Sequence, residues 1–246
     1  MNHTEFEIMC MELRNNTQIP QSENLDLKKW VAECTNLYTS FLGAQQKAQS
    51  ALLNCDPKSF VTCMIIVVRS PYLTFDKKQN SAYITPFGTM ATISIGYSAY
   101  VKALRAHGVN VVVDAIYESE KFSVQMTEKG YKLNHEKTCF KSDAPVKVWF
   151  ALSFENTGFS QFLGMDNAEI EKRKKVAKTS FVWDAWKKEM SMKTVLLRLC
   201  NFYYRHLLSD ILGADIDNDY SENNENSQIA TPKAPELQAP KMETMG

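Results

Sequence analysis

Two groups of residues in this 246-residue chain are of types and spacings that could do chemistry. The first is cationic. Between Asp166 and Leu208 stand Lys172, Arg173, Lys174, Lys175 and Lys178, then Lys187, Ser191, Thr194, Arg198, Asn201 and Arg205. At about 100° per residue the last six fall on one narrow stripe of a helix. The other faces of that helix carry Met190, Val195, Leu196, Leu197, Leu199, Phe202, Tyr203 and Leu207, a pattern that predicts burial. A buried cationic and hydroxylic stripe needs an anion. The phosphates of a nucleic acid are one source, and carboxylates from elsewhere in the chain are the other. For Lys172 to Lys175 alone, an ordinary solvated helix face is an equally good reading.

The second group is acidic. Asp114, Glu118 and Glu120 lie near a strand end and could hold a divalent metal for a nuclease, although strand-edge charges are the simpler reading. Asp76-Lys77-Lys78 matches the Asp-x-Lys core of a nuclease site without a paired upstream acid. His135 and Cys139 have the spacing of two metal ligands, but no second pair matches them. The six cysteines (Cys10, Cys34, Cys55, Cys63, Cys139 and Cys200) form no CxxC, so they read as reduced thiols. There is no G-x-x-x-x-G-K-[ST], G-x-S-x-G or HExxH. An ATP-driven recombinase or helicase is therefore disfavoured, and no cofactor or metal is expected.

Charge supports the cationic group. The net charge is zero, but after Gly213 seven acids face two lysines, so the tail carries −5 and the preceding part +5. A cationic body with an acidic tail suits a nucleic-acid binder that limits its own non-specific binding. A hydrophobic content of 44% supports one sizeable core. No leader and no membrane-spanning run is seen, so an intracellular protein is expected.

These residues need a scaffold. Residues 1–24 are polar and read as a flexible N-terminus. Trp30, Cys34, Leu37, Phe41, Ala44, Ala48 and Leu52 predict a helix over 25–53, with Gly43 as a bend or break. Asp56-Pro57 marks the start of a short buried helix. Residues 81–87 and 89–95 read as a hairpin around Gly88, 96–107 as a helix stopped by Gly108, and 109–117 as a strand. A second hairpin over 122–126 and 131–135 follows, then strands at 146–154 and 160–163. Asp166 and Glu169 have capping-box spacing for a helix from Asn167, and a second helix is predicted over 184–208. The expected fold is α+β, a central antiparallel sheet flanked by helices. It forms one core domain over 25–212, with a disordered acidic tail over 213–246.

Several stretches resemble a known family. TISIGYSAYVKALRAHGVNVVVDAIYESEKF is similar to a hallmark segment of the RecT family of phage and prophage single-strand annealing proteins, with Gly96, Tyr97, Arg105, Gly108, Tyr117, Glu118 and Phe122 at matching positions. AYITPFG resembles an upstream motif of that family, EIEKRKKVAK its basic helix, and EMSMKTVLLRL its Glu-Met-Ala-Lys-Lys-Thr-x-x-Arg-Arg-Leu segment. The likeness runs from about Asp56 to Arg205. Departures are Lys174 for Arg, Ala177 for Ser, Met192 for Lys, Leu197 for Arg and Asn201 for a frequent Lys, which imply a weaker grip on phosphate.

The resemblance implies a RecT-type core and an ATP-independent protein that coats single-stranded DNA and anneals it to a complementary strand. It implies homo-oligomeric rings or helical filaments, a phage exonuclease and the host single-strand DNA-binding protein as partners, and the bacterial cytoplasm as location. Lys174, Lys178, Lys193 and Arg198 are the expected phosphate contacts, with Lys102, Arg105 and Arg173 as lesser candidates. Tyr97 is read as a base- or sugar-stacking residue or, equally, as a core tyrosine. The rivals are a metal-dependent nuclease and a replication accessory protein that binds single strands without annealing them.

Overall fold

A computed structural model describes residues 2–17, 24–42, 52, 54–79, 81–140, 144–177, 180–212 and 214. Helix α1 (His3–Asn16) occupies a stretch expected to be frayed. Asn2 and Glu5 form a reciprocal capping box at its start, and Phe6 and Cys10 are fully buried. Met9, Met11 and Leu13 pack partly buried against the core, but only Phe6 and Cys10 are fully buried, too few to stand out among the polar residues. The Asn2-x-x-Glu5 spacing was the available signal.

Helix α2 (Leu27–Leu37) is capped by Asp26, whose carboxylate accepts from the backbone N–H groups of Lys28 and Lys29. It continues as one π-helical turn, Tyr38–Leu42. The expected continuation through Gly43, Ala44 and Ala48 lies outside the described residues. Helix α3 (Pro57–Arg69) begins where Asp56-Pro57 predicts, with the Asp56 carboxylate accepting from Ser59 N at 2.9 Å. Its apolar residues are buried on nearly every side.

Strands β1 (Ala82–Phe87) and β2 (Met90–Ile95) form a separate two-stranded sheet. The alternation Ala82, Ile84, Ala91, Ile93 and Ile95 buries one face, and β2 packs on α3. Helix α4 (Tyr97–Ala106) follows at once and ends at Gly108, whose φ of 78° suits glycine.

The main sheet comprises β3 (Val109–Tyr117), β4 (Lys121–Thr127), β5 (Gly130–Glu136), β6 (Val146–Glu155) and β7 (Ser160–Met165). Its strand order is β3-β6-β7-β5-β4. Pairing is antiparallel except where β5 meets β7 in parallel at Gly130 and Ser160. The α+β class and the helix-flanked sheet agree with expectation; the parallel junction was not foreseen. Strands β3 and β4 stand at opposite ends of this order, yet only residues 118–120 connect them. The sheet must therefore curl. Its concave face encloses a small second core of Ile116, Phe150 and Leu152, packed by Phe122, Leu133, Val148 and Phe162.

The other face carries the main core and the C-terminal helices. Helix α5 (Asn167–Val176) starts on the predicted Asp166–Glu169 capping box. The single helix expected over 184–208 is instead three: α6 (Ser180–Ala185), α7 (Lys187–Tyr203) and α8 (Arg205–Leu212). The backbone leaves helical geometry at Trp186 (φ −133°, ψ 45°) and Tyr204 (φ −125°, ψ 15°). At the second break the buried Tyr204 hydroxyl bonds Ser153 Oγ at 2.7 Å and Glu155 Oε1 at 3.2 Å, so the sheet holds it. Helix α7 lies across β3, β6 and β7. The acidic tail beyond Ala214 lies outside the described residues.

Candidate nucleic-acid interface

The anion that the cationic stripe needs is supplied, in the free protein, by the chain's own carboxylates. Lys187 Nζ of α7 meets Glu171 Oε1 of α5 at 2.8 Å. Arg198 Nη1 of α7 donates to Glu169 Oε1 of α5 at 2.7 Å and lies over the Phe202 ring. Lys174 Nζ of α5 meets Asp184 Oδ1 of α6 at 2.7 Å. These pairs tie α5 to both following helices along one ridge. The hydrogen bond from Lys187 holds the Glu171 carboxyl below its ordinary pKa, and Asp184 raises that of Lys174. Arg198 and Glu169 are each about a third exposed, so their pair contributes only about 0.2–1 kcal/mol. The polar stripe of α7 is otherwise satisfied by its own helix. Ser191 Oγ donates to Lys187 O, Thr194 Oγ1 to Met190 O, and Asn201 Nδ2 to Leu197 O.

The expected phosphate contacts do not all share this ridge. Lys193 stands five residues before Arg198, about 140° away around the helix. It is only 7% exposed, unusual for a lysine, and its charge acts on the Tyr83 hydroxyl of β1. Burial pushes the Tyr83 phenol up while Lys193 pulls it down. Lys193 is thus within electrostatic reach of Tyr83 on the β1–β2 hairpin, where Tyr83, Phe87 and Met90 are exposed. Tyr83 and Phe87 were passed over in the sequence; their even spacing on β1 was the signal.

Lys102 and Arg105 are exposed on α4, which packs on β3 and α8, and Lys102 Nζ donates to Gln79 Oε1 at 2.8 Å. Arg173 is half-buried on α5. Tyr97 is half-buried against the main core, and burial raises its pKa. Lys178 lies outside the described residues.

The acidic residues have structural work. The Glu120 side chain is fully buried and accepts four hydrogen bonds at 2.9 Å: from Tyr117 N and His135 Nε2 on one oxygen, and from Thr138 N and Cys139 N on the other. Burial pushes its carboxyl up, but these donors outweigh burial and bring it down to about 2. Asp114 pairs with Lys137, and Glu118 is exposed in the turn. Asp76 closes its own turn by accepting from Lys78 N. Among the described residues no group of three or more His, Cys, Asp or Glu is arranged to hold a metal ion. No described helix is long and apolar enough to cross a membrane.

The β1–β2 hairpin, the curled sheet and the basic α5–α7 ridge carry the segments that resemble RecT proteins. A RecT-family sequence profile matches residues 35–235, most of the chain, and the chain belongs to that family. It is also 28% identical over 165 residues to the uncharacterized protein YqaK of Bacillus subtilis (strain 168). That match covers 65% of this chain and 56% of YqaK, little more than half the length of the relative.

Proposed function

We propose that this protein binds single-stranded DNA and pairs it with a complementary strand without ATP, in phage-type homologous recombination. The observation that carries the proposal is the α5–α7 ridge, where Lys174, Lys187 and Arg198 are held on packed helices by partly exposed ion pairs. Such pairs are weak enough for a phosphate to replace the carboxylate. Family membership and the absence of a phosphate-cradling Walker motif point the same way.

Annealing must overcome repulsion between two phosphate backbones. A row of Lys and Arg offsets it without reading bases, so binding is independent of sequence. A strand held by its backbone keeps its bases free to test pairing, and the stability of the duplex then drives the reaction. Lys174, Lys178, Lys193 and Arg198 contact phosphates in this reading, with Lys102, Arg105 and Arg173 at the margin. The exposed Tyr83 and Phe87 beside Lys193 offer aromatic faces on which bases can stack. The working form is a homo-oligomeric ring or filament in the bacterial cytoplasm, supplied by a phage exonuclease and meeting the host single-strand DNA-binding protein.

The test is hybridisation of complementary oligonucleotides without ATP. Arg198→Ala and Lys178→Ala keep the fold and lose annealing by about tenfold or more, the scale of one charge-assisted contact. Wild-type rates in both variants would refute the assignment. Degradation of labelled DNA with magnesium would favour the nuclease, and binding without faster pairing would favour an accessory protein.

A further inference from the structure

The ridge pairs have a property that neither family membership nor the cationic stripe requires. Each joins side chains on different helices, and each places one carboxylate on a cation that a phosphate would otherwise occupy. Glu169 has a second task, since its other oxygen accepts from Asp166 N in the capping box of α5. Glu171 accepts from Lys187, and Asp184 from Lys174. Their side chains are 43% and 69% exposed, so solvent and a polyanion reach them freely.

We infer that Glu171 and Asp184 are built-in competitors of DNA phosphates, holding Lys187 and Lys174 in the free protein and setting its single-strand affinity below what its cations alone would give. The inference rests on the single-strand-binding reading above and adds to it the residues that tune affinity. A strand landing on the ridge must exchange carboxylate for phosphate at each of these lysines. The exchange gains less than binding to an open lysine, because an attraction is lost as another forms, and fewer counterions are released. A grip limited in this way lets a strand shift register while it tests for complementarity and lets finished duplex leave. Both are needed for annealing, which ends with the product free.

The test uses Glu171→Gln and Asp184→Asn in the full-length protein. Each amide keeps an oxygen that can accept from the lysine, so helix packing is preserved while the competing charge is removed. Affinity for a labelled oligothymidine is measured across a potassium chloride series, with the unfolding midpoint recorded alongside. Each variant should bind about threefold or more tighter at low salt, with the salt dependence steeper by about 0.7 per released lysine. Glu171→Gln should tighten binding less in a Lys187→Met background than in the wild type, because its main contested lysine is gone while its weaker pull on Lys174 and Lys175 remains; an equal gain in both backgrounds would overturn the inference. Wild-type affinity and slope in both amide variants, with or without a lower unfolding midpoint, would overturn the inference and leave these carboxylates as clamps between helices. Failure of wild type and both variants to bind at the lowest salt would instead overturn the single-strand-binding reading, and this inference with it.

Discussion

Glu120→Gln separates the structural reading of the acidic residues from the nuclease reading, and its size follows from the geometry. Both Glu120 oxygens face only donors: two backbone N–H groups on one, a backbone N–H and His135 Nε2 on the other. Glutamine must turn an NH2 toward one of these sides, leaving both backbone N–H groups unmatched on the Thr138–Cys139 side, or that of Tyr117 alone on the other if His135 switches tautomer. At about 1–3 kcal/mol for each buried group left unsatisfied, one or two such groups give a loss of about 1–6 kcal/mol. The depression of the carboxyl from 4.5 to about 2 gives an independent scale of about 3 kcal/mol, reduced toward 2 where water screens the rim of the cluster. A depressed carboxylate stabilises the fold fully above pH 4.5 and loses that contribution as pH falls toward 2. Urea unfolding of wild type and variant should therefore differ by about 2–3 kcal/mol at pH 7, a midpoint drop of about 5–10 °C on heating, with the gap narrowing below pH 4.5. Magnesium should alter neither value. An unchanged midpoint at pH 7, alone or with loss of a magnesium-dependent DNA degradation that the wild type shows, would refute the view that Glu120 pins the β3–β4 turn to residues 138 and 139.

Two further substitutions probe the scaffold. Gly130→Ala places a Cβ 1.9 Å from the Ser160 carbonyl oxygen at a φ of +87°, so it should cost more than about 2 kcal/mol and loosen β5 from β7. Faster amide exchange at Ser160, whose N–H donates to Lys129 O, is the readout. Tyr204→Phe removes the hydroxyl that bonds Ser153 and Glu155, so its urea midpoint should fall by the equivalent of about 1–1.5 kcal/mol while single-strand binding is retained.

The ridge also alters how the family departures read. The resemblance implies cations at the positions of Met192, Leu197 and Asn201. Leu197 is buried in the main core and Asn201 bonds back to its own helix. Neither position adds charge to the ridge, whose remaining cations are shared with carboxylates. Under the proposed function this implies a modest grip on DNA with a shallow salt dependence, which the charge variants above measure.

Much of this protein was legible from neighbours in sequence. The Asp56 and Asp166 caps, the hairpin around Gly88, the stop at Gly108 and the alternating strands each depend on residues within a few positions of one another, and each formed where expected. Helix α1 was missed because two buried side chains are too faint a period, and the break at Tyr204 because its cause, Ser153, lies 51 residues away. Local pattern likewise established that a cationic stripe exists and that it needs an anion. Which anion meets it in the free protein was a tertiary matter. Glu169 is 29 residues from Arg198 and Glu171 is 16 from Lys187, and only the packing of α5 on α7 brings them together. Curling of the sheet likewise buries Glu120 under its four donors. A side chain's type and helical phase are written locally, but its partner is chosen by whatever element the fold lays against it.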